Sequence, residues 1–327
     1  MLFNSILLNM EIVKPKIIVI LGPTASGKSD AAIKIAQKYN GEIISADSRQ
    51  VYRGMNIGTG KVMRDIVTGN SSLVTDNDNV FLSEGIIHHL IDVAEPNEDF
   101  NISHFKTQAN LAIEDILSRG KLPIICGGTG FWIQAITEDM NLPEVPPNEK
   151  LRQELELKTP EELFEKLKKL DPERAETIDF QNKYRLIRAL EICQAIGKVP
   201  NQSSVISNQS SKYDFLQIGI SIEKEKLHER IKNRLESRFD EGMIEEVKSL
   251  NENGISWEKL ESFGLEYRWL ARFLQGKISK EEMNEKLYFD IIHYAKRQMT
   301  WFKRNKKIVW LENYKDIESE VEKFIEK

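Results

Sequence analysis

The sequence predicts an α/β fold, a parallel sheet flanked by helices and interrupted by an all-helical insertion. The apolar run Ile17-Ile-Val-Ile-Leu21 passes directly into the turn Gly22-Pro-Thr-Ala-Ser-Gly27-Lys28-Ser29. A second run, Leu122-Pro-Ile-Ile-Cys126, passes into Gly127-Gly-Thr-Gly130. Short β-branched runs separated by amphipathic helices are the pattern of parallel strands joined by crossovers. The strand signature then stops at Asn141-Leu-Pro-Glu-Val-Pro-Pro147, gives way to helical periodicity, and resumes at Phe215-Leu-Gln-Ile-Gly-Ile-Ser221. The predicted organisation is therefore a core domain over 14–140 and 214–327, with a helical insertion over 141–213 that ends in a polar linker, 201–212.

The spacing G-x-x-x-x-G-K-[ST] at 22–29 makes the core P-loop NTPase-like. Backbone N–H groups of such a loop converge on phosphate oxygens, and the helix that follows directs its positive end at them. Gly22, Pro23, Thr24, Ala25, Ser26, Gly27, Lys28 and Ser29 are the candidate phosphate-binding residues, with Lys28 adding a point charge and Ser29 a ligand for Mg²⁺. The helix is expected over Ser29 to Tyr39, with Ala31, Ala32, Ile35 and Ala36 inward.

Glu42 to Ala46 reads as the next strand and delivers Asp47-Ser48-Arg49-Gln50-Val51-Tyr52 at its carboxyl end, the edge where open α/β sheets hold ligands. Arg53 to Gly85 has little periodicity and reads as a long loop region. His88 to Val93 reads as a strand, on which adjacent histidines face opposite sides and make a poor metal pair. Asn101 to Arg119 carries Phe105, Ala109, Ala112, Ile113, Ile116 and Leu117 at helical spacing, with Asn101 or Ser103 as cap and Gly120 as terminator. The strand at 122–126 then places a second glycine turn on the same sheet edge as the first.

The insertion reads as successive helices from Glu149 to about Gly197, with a turn at Asp171-Pro172 and a strong amphipathic stretch from Lys183 to Ile196. After the closing strand signature at 215–221, Lys224 to Asn251 is helical and aligns Arg230, Arg234 and Arg238 at i, i+4, i+8, usually a solvated face. Ser279 to Arg304 is a long helix. From Lys296 to Lys307, six of twelve residues are basic, with Trp301 and Phe302 among them, a composition suited to phosphates and stacked bases. A short strand at Ile308-Val-Trp310 and a helix from Asp316 to Lys327 close the chain.

Bulk properties narrow the function classes. At 327 residues the chain has room for one large domain with an insertion, or for two domains. No run approaches the ~18 apolar residues of a membrane span, and residues 1–13 lack a basic leader and a small-residue cleavage site, with Met10 a second candidate start. Two distant cysteines, Cys126 and Cys193, suit a reducing, cytoplasmic setting. A net charge of -5 argues against indiscriminate coating of nucleic acid, so RNA contact must rest on local basic patches.

In order along the chain, GPTASGKS, SADSRQVYRGMNIGT (45–59), HHLIDV, GGTGFWI (127–133), YRLIRALEI (184–192), LHERI with Arg234, and YAKRQMTWFKR (294–304) resemble the bacterial tRNA dimethylallyltransferases, which prenylate adenine 37 beside the anticodon. Two stretches depart from that family's pattern: Ser262 to Tyr267, and the polar loop 65–84. The resemblance implies that residues 22–29 cradle the diphosphate of dimethylallyl diphosphate. Thr24 and Arg234 would join Lys28 and magnesium in stabilising the leaving group, and Asp47 would accept the N6 proton. It implies a flipped base read by Gln50 and Thr129, with Asp47, Ser48, Arg49, Arg152, Tyr184, Arg185, Arg188, Lys296, Arg297, Gln298, Trp301, Lys303 and Arg304 as further tRNA contacts. The implied partners are a tRNA anticodon stem-loop and dimethylallyl diphosphate, handled by a monomer. A P-loop kinase of small metabolites, an isopentenyltransferase acting on free adenylate, and a binding module without chemistry remain open beside it.

Overall fold

The computed structural model describes residues 14–66, 80–200 and 211–327. The first 13 residues, most of the 65–84 loop and most of the 201–212 linker lie outside these. In chain order the elements begin β1 (Lys16–Leu21), α1 (Lys28–Lys38), β2 (Gly41–Ala46), β3 (Phe81–Ser83), β4 (Ile86–His89), α2 (Ile102–Ser118), β5 (Leu122–Gly127) and α3 (Gly130–Thr137). Four helices follow: α4 (Glu149–Glu156), α5 (Pro160–Leu170), α6 (Pro172–Thr177) and α7 (Lys183–Ile196). The chain continues as β6 (Asp214–Ile220), α8 (Lys224–Asp240), α9 (Met243–Glu252), α10 (Trp257–Phe263), α11 (Leu265–Leu274), α12 (Lys280–Phe302), β7 (Val309–Leu311) and α13 (Tyr314–Glu326). Two compact units result, one from 1–136 with 212–327 and one from 137–211.

The larger unit holds a seven-stranded sheet in the order β3-β4-β2-β5-β1-β6-β7. Every pairing is parallel except that of β3 with β4. β1 is central because it is apolar on both faces, as parallel strands covered on both sides must be. Ile17, Val19 and Leu21 pack with Phe105, Ile113 and Ile116 of α2 and with Trp132 of α3. Ile18 and Ile20 pack on the other face with Ala32, Ile35 and Ala36 of α1 and with Ile317 and Val321 of α13. α2 starts where the Asn101 side chain accepts hydrogen bonds from the backbone N–H groups of Ser103 and His104, at 2.9 and 3.2 Å. The parallel strands all end at one edge, and that edge carries the first glycine turn and the site.

Three local expectations are corrected. The strand expected over 88–93 stops at His89, because Leu90 and Asp92 take φ of 63° and 56° and turn the chain away. The region read as loop up to Gly85 contains β3, whose three residues are too short to show a period. The helix expected over 224–251 is two helices, broken at Glu241 and Gly242. The adjacent histidines part as the pleat dictates: His89 Nε2 lies 2.7 Å from the buried Glu42 carboxylate, while His88 is buried against Phe81 and its pKa is pushed down to about 4 by burial.

The smaller unit packs α4, α5, α6 and α7 around Leu151, Leu155, Leu163, Leu167, Leu186, Ile187 and Leu190. Each helix start carries a side-chain cap, from Asn148, Thr159, Asp171 and Asn182 respectively. Glu191 of α7 is buried, and burial alone would raise its carboxyl; Arg152, the Asn148 backbone and Arg188 together hold it below its ordinary value.

Candidate active site

The first glycine turn leaves β1 and enters α1 through Ala25 at φ 60° and Gly27 at φ 93°, a left-handed pair that turns successive backbone N–H groups to one side. No side chain caps α1 at Gly27, so its first-turn donors stay open to a ligand. Ser26 Oγ is buried without a hydrogen-bond partner among the described residues. Lys28 reaches back to the Pro23 carbonyl at 3.4 Å. Burial lowers the Lys28 pKa; the neighbouring Cys126 and Asp47 oppose that shift, and Arg234 adds to it. Cys126, whose thiol donates to the Lys28 carbonyl at 3.6 Å, is pushed up to about 11 by the same burial.

α8 lies across from this loop and presents the arginines noted in the sequence, and they do not form a solvated face. They grade inward, with Arg230 exposed, Arg234 half-buried and Arg238 only 7% exposed. Arg230 donates to the Ser26 carbonyl at 3.1 Å, and Arg238 pairs with Glu266 at 2.9 Å. Arg234 is lowered to about 10, first by burial and then by Arg238 beside it. Crowding Arg234 against Arg238 and near Lys28 is unfavourable without an anion to share, and it defines the chemistry this site wants.

The cations line a cleft of ≈ 1230 Å³ that also takes in Ser29, Lys34, Gly60, Lys61 and Tyr314. A narrower pocket of ≈ 90 Å³ is lined by Thr24, Asp47, Arg49, Gln50, Phe263, Leu265, Ile291, Tyr294 and Gln298. Lys28, Ser29, Gly60, Arg234 and Arg238 line both, so the two cavities meet at the phosphate loop. Asp47, at the carboxyl end of β2, accepts from the Arg49 backbone N–H at 2.9 Å and so faces the pocket from a fixed turn. Arg49 sits over the Phe263 ring at 5.4 Å, and burial lowers its pKa. Tyr294 is raised by burial and by the Asp47 charge.

Several residues read from the sequence as contacts to RNA also have partners inside the protein. Gln50 accepts from Ser45 Oγ at 3.1 Å and donates to the Thr59 and Gly60 carbonyls at 3.4 and 3.2 Å. Thr129 Oγ1 accepts from the Ser48 backbone N–H at 3.1 Å. Gln298, 6% exposed, accepts from the Thr24 N–H and donates to the Gly128 carbonyl, both at 2.9 Å. Arg152 and Arg188 are both spent on Glu191, and Arg188 also donates to the Val145 carbonyl at 2.9 Å. A side chain committed to a buried partner keeps its shape but has less to offer a ligand.

The rest of the basic helix end does face outward. Lys296, Arg297, Lys303 and Arg304 are exposed, Arg297 lies over Tyr294 at 5.8 Å, and Arg304 lies over Trp301 at 5.4 Å. Trp301 meets Phe131 edge to face at 6.0 Å, and Phe131 follows directly on the second glycine turn. In the smaller unit Tyr184 and Arg185 are both exposed, Tyr184 at 70%. Arg238, Glu266, Phe263 and Tyr294 escaped the reading of the sequence as site residues. Arg238 stood in the arginine stripe; the other three carried no local signal, because their place depends on how α10, α11 and α12 pack.

The IPP transferase family model matches residues 50–305. The chain is 40% identical over 298 residues to the tRNA dimethylallyltransferase of Anoxybacillus flavithermus, covering 91% of this chain and 90% of that protein. It is 41% identical over 301 residues to tRNA dimethylallyltransferase 1 of Syntrophus aciditrophicus, covering 90% and 93%. Among solved structures it resembles the full-length tRNA isopentenylpyrophosphate transferase of Bacillus halodurans, with a TM-score of 0.66, 34% identity and coverage of 95% and 96%. It also resembles a eukaryotic dimethylallyltransferase acting on tRNA, with a TM-score of 0.72, 30% identity and coverage of 91% of this chain and 74% of that one.

Proposed function

This chain belongs to the IPP transferase family, and we propose that it transfers a dimethylallyl group from dimethylallyl diphosphate to N6 of adenine 37 in tRNA, releasing diphosphate. The observation that carries this reading is the meeting of the two cavities: an uncapped phosphate loop faced by Arg230 and Arg234 opens into a narrow pocket that holds Asp47. A phosphate cradle beside a carboxylate suits a reaction in which diphosphate leaves as a nucleophile loses a proton.

In that reaction the N6 lone pair forms a bond to C1 of the allyl group while the C–O bond to the diphosphate breaks, its electron pair leaving with the diphosphate. Free backbone N–H groups of the phosphate loop, Lys28 and the arginines of α8 stabilise the charge that develops there. Asp47 takes the N6 proton, which makes the delocalised exocyclic amine a competent nucleophile as it attacks. The Ser29 hydroxyl, on the wall shared by both cavities, is an oxygen ligand of the kind Mg²⁺ takes and would help to hold the ion there. Bound there, the ion would supply further neutralisation of the leaving group.

Adenine 37 reaches the pocket only when flipped from its stack. The exposed cations of the α12 end, Lys296, Arg297, Lys303 and Arg304, supply phosphate contacts for the anticodon stem-loop, and half-buried Trp301 with exposed Phe131 beside it supplies stacking surface. Tyr184 and Arg185 of the helical unit offer the same pairing. We take the enzyme to act as a monomer in the cytoplasm; among the described residues no helix is long and apolar enough to cross a membrane.

Incubating the protein with unmodified tRNA, Mg²⁺ and dimethylallyl diphosphate, then digesting the tRNA to nucleosides for mass analysis, tests the reading. Isopentenyladenosine in the tRNA is the expected product. Phosphate transfer from ATP, or efficient prenylation of free AMP, would instead return the site to a kinase or to an adenylate isopentenyltransferase.

A further inference from the structure

The wall of the diphosphate cleft opposite the phosphate loop is the stretch 56–60, and one carboxylate from another helix holds it. Glu246, on α9, accepts the backbone N–H groups of Asn56 and Ile57 on Oε2, at 2.8 and 2.7 Å. Its Oε1 accepts the N–H of Gly58 at 3.0 Å and the hydroxyl of Tyr267 at 2.8 Å. Three consecutive amides on one ionised carboxylate form charge-assisted hydrogen bonds and leave the loop a single path. Tyr267, 2% exposed, is itself locked in the core, and the fit is close: a Cβ on Gly58 would lie 2.7 Å from the Tyr267 ring.

The path matters because of what it touches next. Gly60, at φ 62°, lies so near α8 that a Cβ there would stand 1.8 Å from an Nη2 atom of both Arg234 and Arg238. Its carbonyl is held from the other side by Gln50, and Arg238 is held below by Glu266. Two neighbouring guanidinium groups repel one another and gain hydration by swinging apart. Both Nη2 atoms converge on the one point that a Gly60 Cβ would take, so a shift of this backbone toward α8 would displace both guanidinium groups at once.

We propose that Glu246 is a positioning residue for the allylic donor: with Tyr267 it clamps residues 56–58, so that Gly60 keeps the place that lets Arg234 and Arg238 converge beside the phosphate loop. Glu246 touches no substrate and acts through the wall it fixes. The inference rests on the donor reading above, since the arginines matter to whatever diphosphate the cleft holds.

Two measurements on full-length Glu246→Gln, Glu246→Asp and Tyr267→Phe test it. The first is calorimetric binding of inorganic diphosphate with Mg²⁺, which requires no tRNA and no turnover. The second is steady-state prenylation, with KM for dimethylallyl diphosphate and kcat determined separately and tRNA affinity measured alongside. Gln presents only one acceptor oxygen to donors that need two, so Glu246→Gln is expected to weaken diphosphate binding and raise donor KM by roughly tenfold, with tRNA affinity within about twofold. Glu246→Asp should recover part of this, and Tyr267→Phe, which keeps the carboxylate and its three amide bonds, should show a smaller loss of the same kind. Combined with Arg234→Ala, the Glu246→Gln defect should be less than additive, because the clamp acts through that arginine. Unchanged diphosphate binding in a folded Glu246→Gln, or a loss in Tyr267→Phe confined to kcat and thermal stability, overturns the clamp. Failure of the wild-type protein to prenylate tRNA while it still binds diphosphate overturns the function and leaves the clamp standing.

Discussion

Gln298, on α12, accepts a hydrogen bond from the backbone N–H of Thr24, 274 residues away in the chain, and donates to the carbonyl of Gly128. One buried amide thus fastens the turn after β1 to the turn after β5, and with them the two walls of the site. Gln298→Leu keeps the volume and leaves the half-buried Thr24 N–H and the buried Gly128 carbonyl without this partner, a cost of roughly 1 to 3 kcal/mol for the buried carbonyl. Urea denaturation should register the lost stability and single-turnover prenylation the loosened site. An unchanged midpoint in urea would mean that the two turns are held by other contacts.

Asp47 is expected to matter for rate and little for binding. Asp47→Asn should lower single-turnover prenylation by roughly 10² to 10⁴, since a general base contributes in the transition state. The tRNA dissociation constant, measured on the same preparation, should stay close to that of the wild type. A loss confined to affinity would make Asp47 a recognition residue.

Donor use should fall on the alkaline side earlier than an ordinary lysine would dictate. Burial lowers the Lys28 pKa below its usual 10.5, so the free enzyme gives up that proton at lower pH. A bound diphosphate favours the ammonium, and affinity therefore declines as pH rises through the lowered pKa. Arg234, lowered to about 10, adds to the decline. The sign for stability is opposite: between the lowered pKa and 10.5 the unfolded chain binds the extra proton, so the burial cost at Lys28 is full below that window and is relieved as pH rises through it. Donor kcat/KM against pH should show an alkaline limb with its midpoint below 10.5, moved upward in Lys28→Arg. A limb that Lys28→Arg does not move assigns it to another group.

The exposed cations of the α12 end should behave unlike Arg188 of the helical unit. If Lys303 and Arg304 contact RNA phosphates, neutralising each reduces the slope of log affinity against log salt by about 0.7, the value for single-stranded nucleic acid. Arg188 holds the buried Glu191, so Arg188→Ala should cost stability in the helical unit, measured by thermal denaturation, with little change in the salt slope. The reverse pattern would exchange the two roles.

Much of the fold was legible from local pattern. Ile17 to Leu21 is apolar without alternation and lies inside a sheet, and Gly27-Lys28-Ser29 opens a helix as its spacing predicts. The amphipathic periods of α2, α7 and α12 mark their own lengths, and Asp47 sits at a strand end, where parallel sheets hold ligands. These features depend on neighbours a few residues away, and the sequence alone determines them. Tertiary structure decided which polar side chains are free. Gln50, Gln298, Arg152 and Arg188 have the chemistry of RNA contacts and also hold partners inside the protein, and no local pattern says where a partner from a distant helix will arrive. It likewise turned the arginine stripe of α8 into the wall of a cleft, because Gly60, Glu246 and Glu266 meet it only after the chain has folded. Hydrophobic period is a property of adjacent residues, whereas hydrogen-bond satisfaction and charge burial are properties of the packed whole.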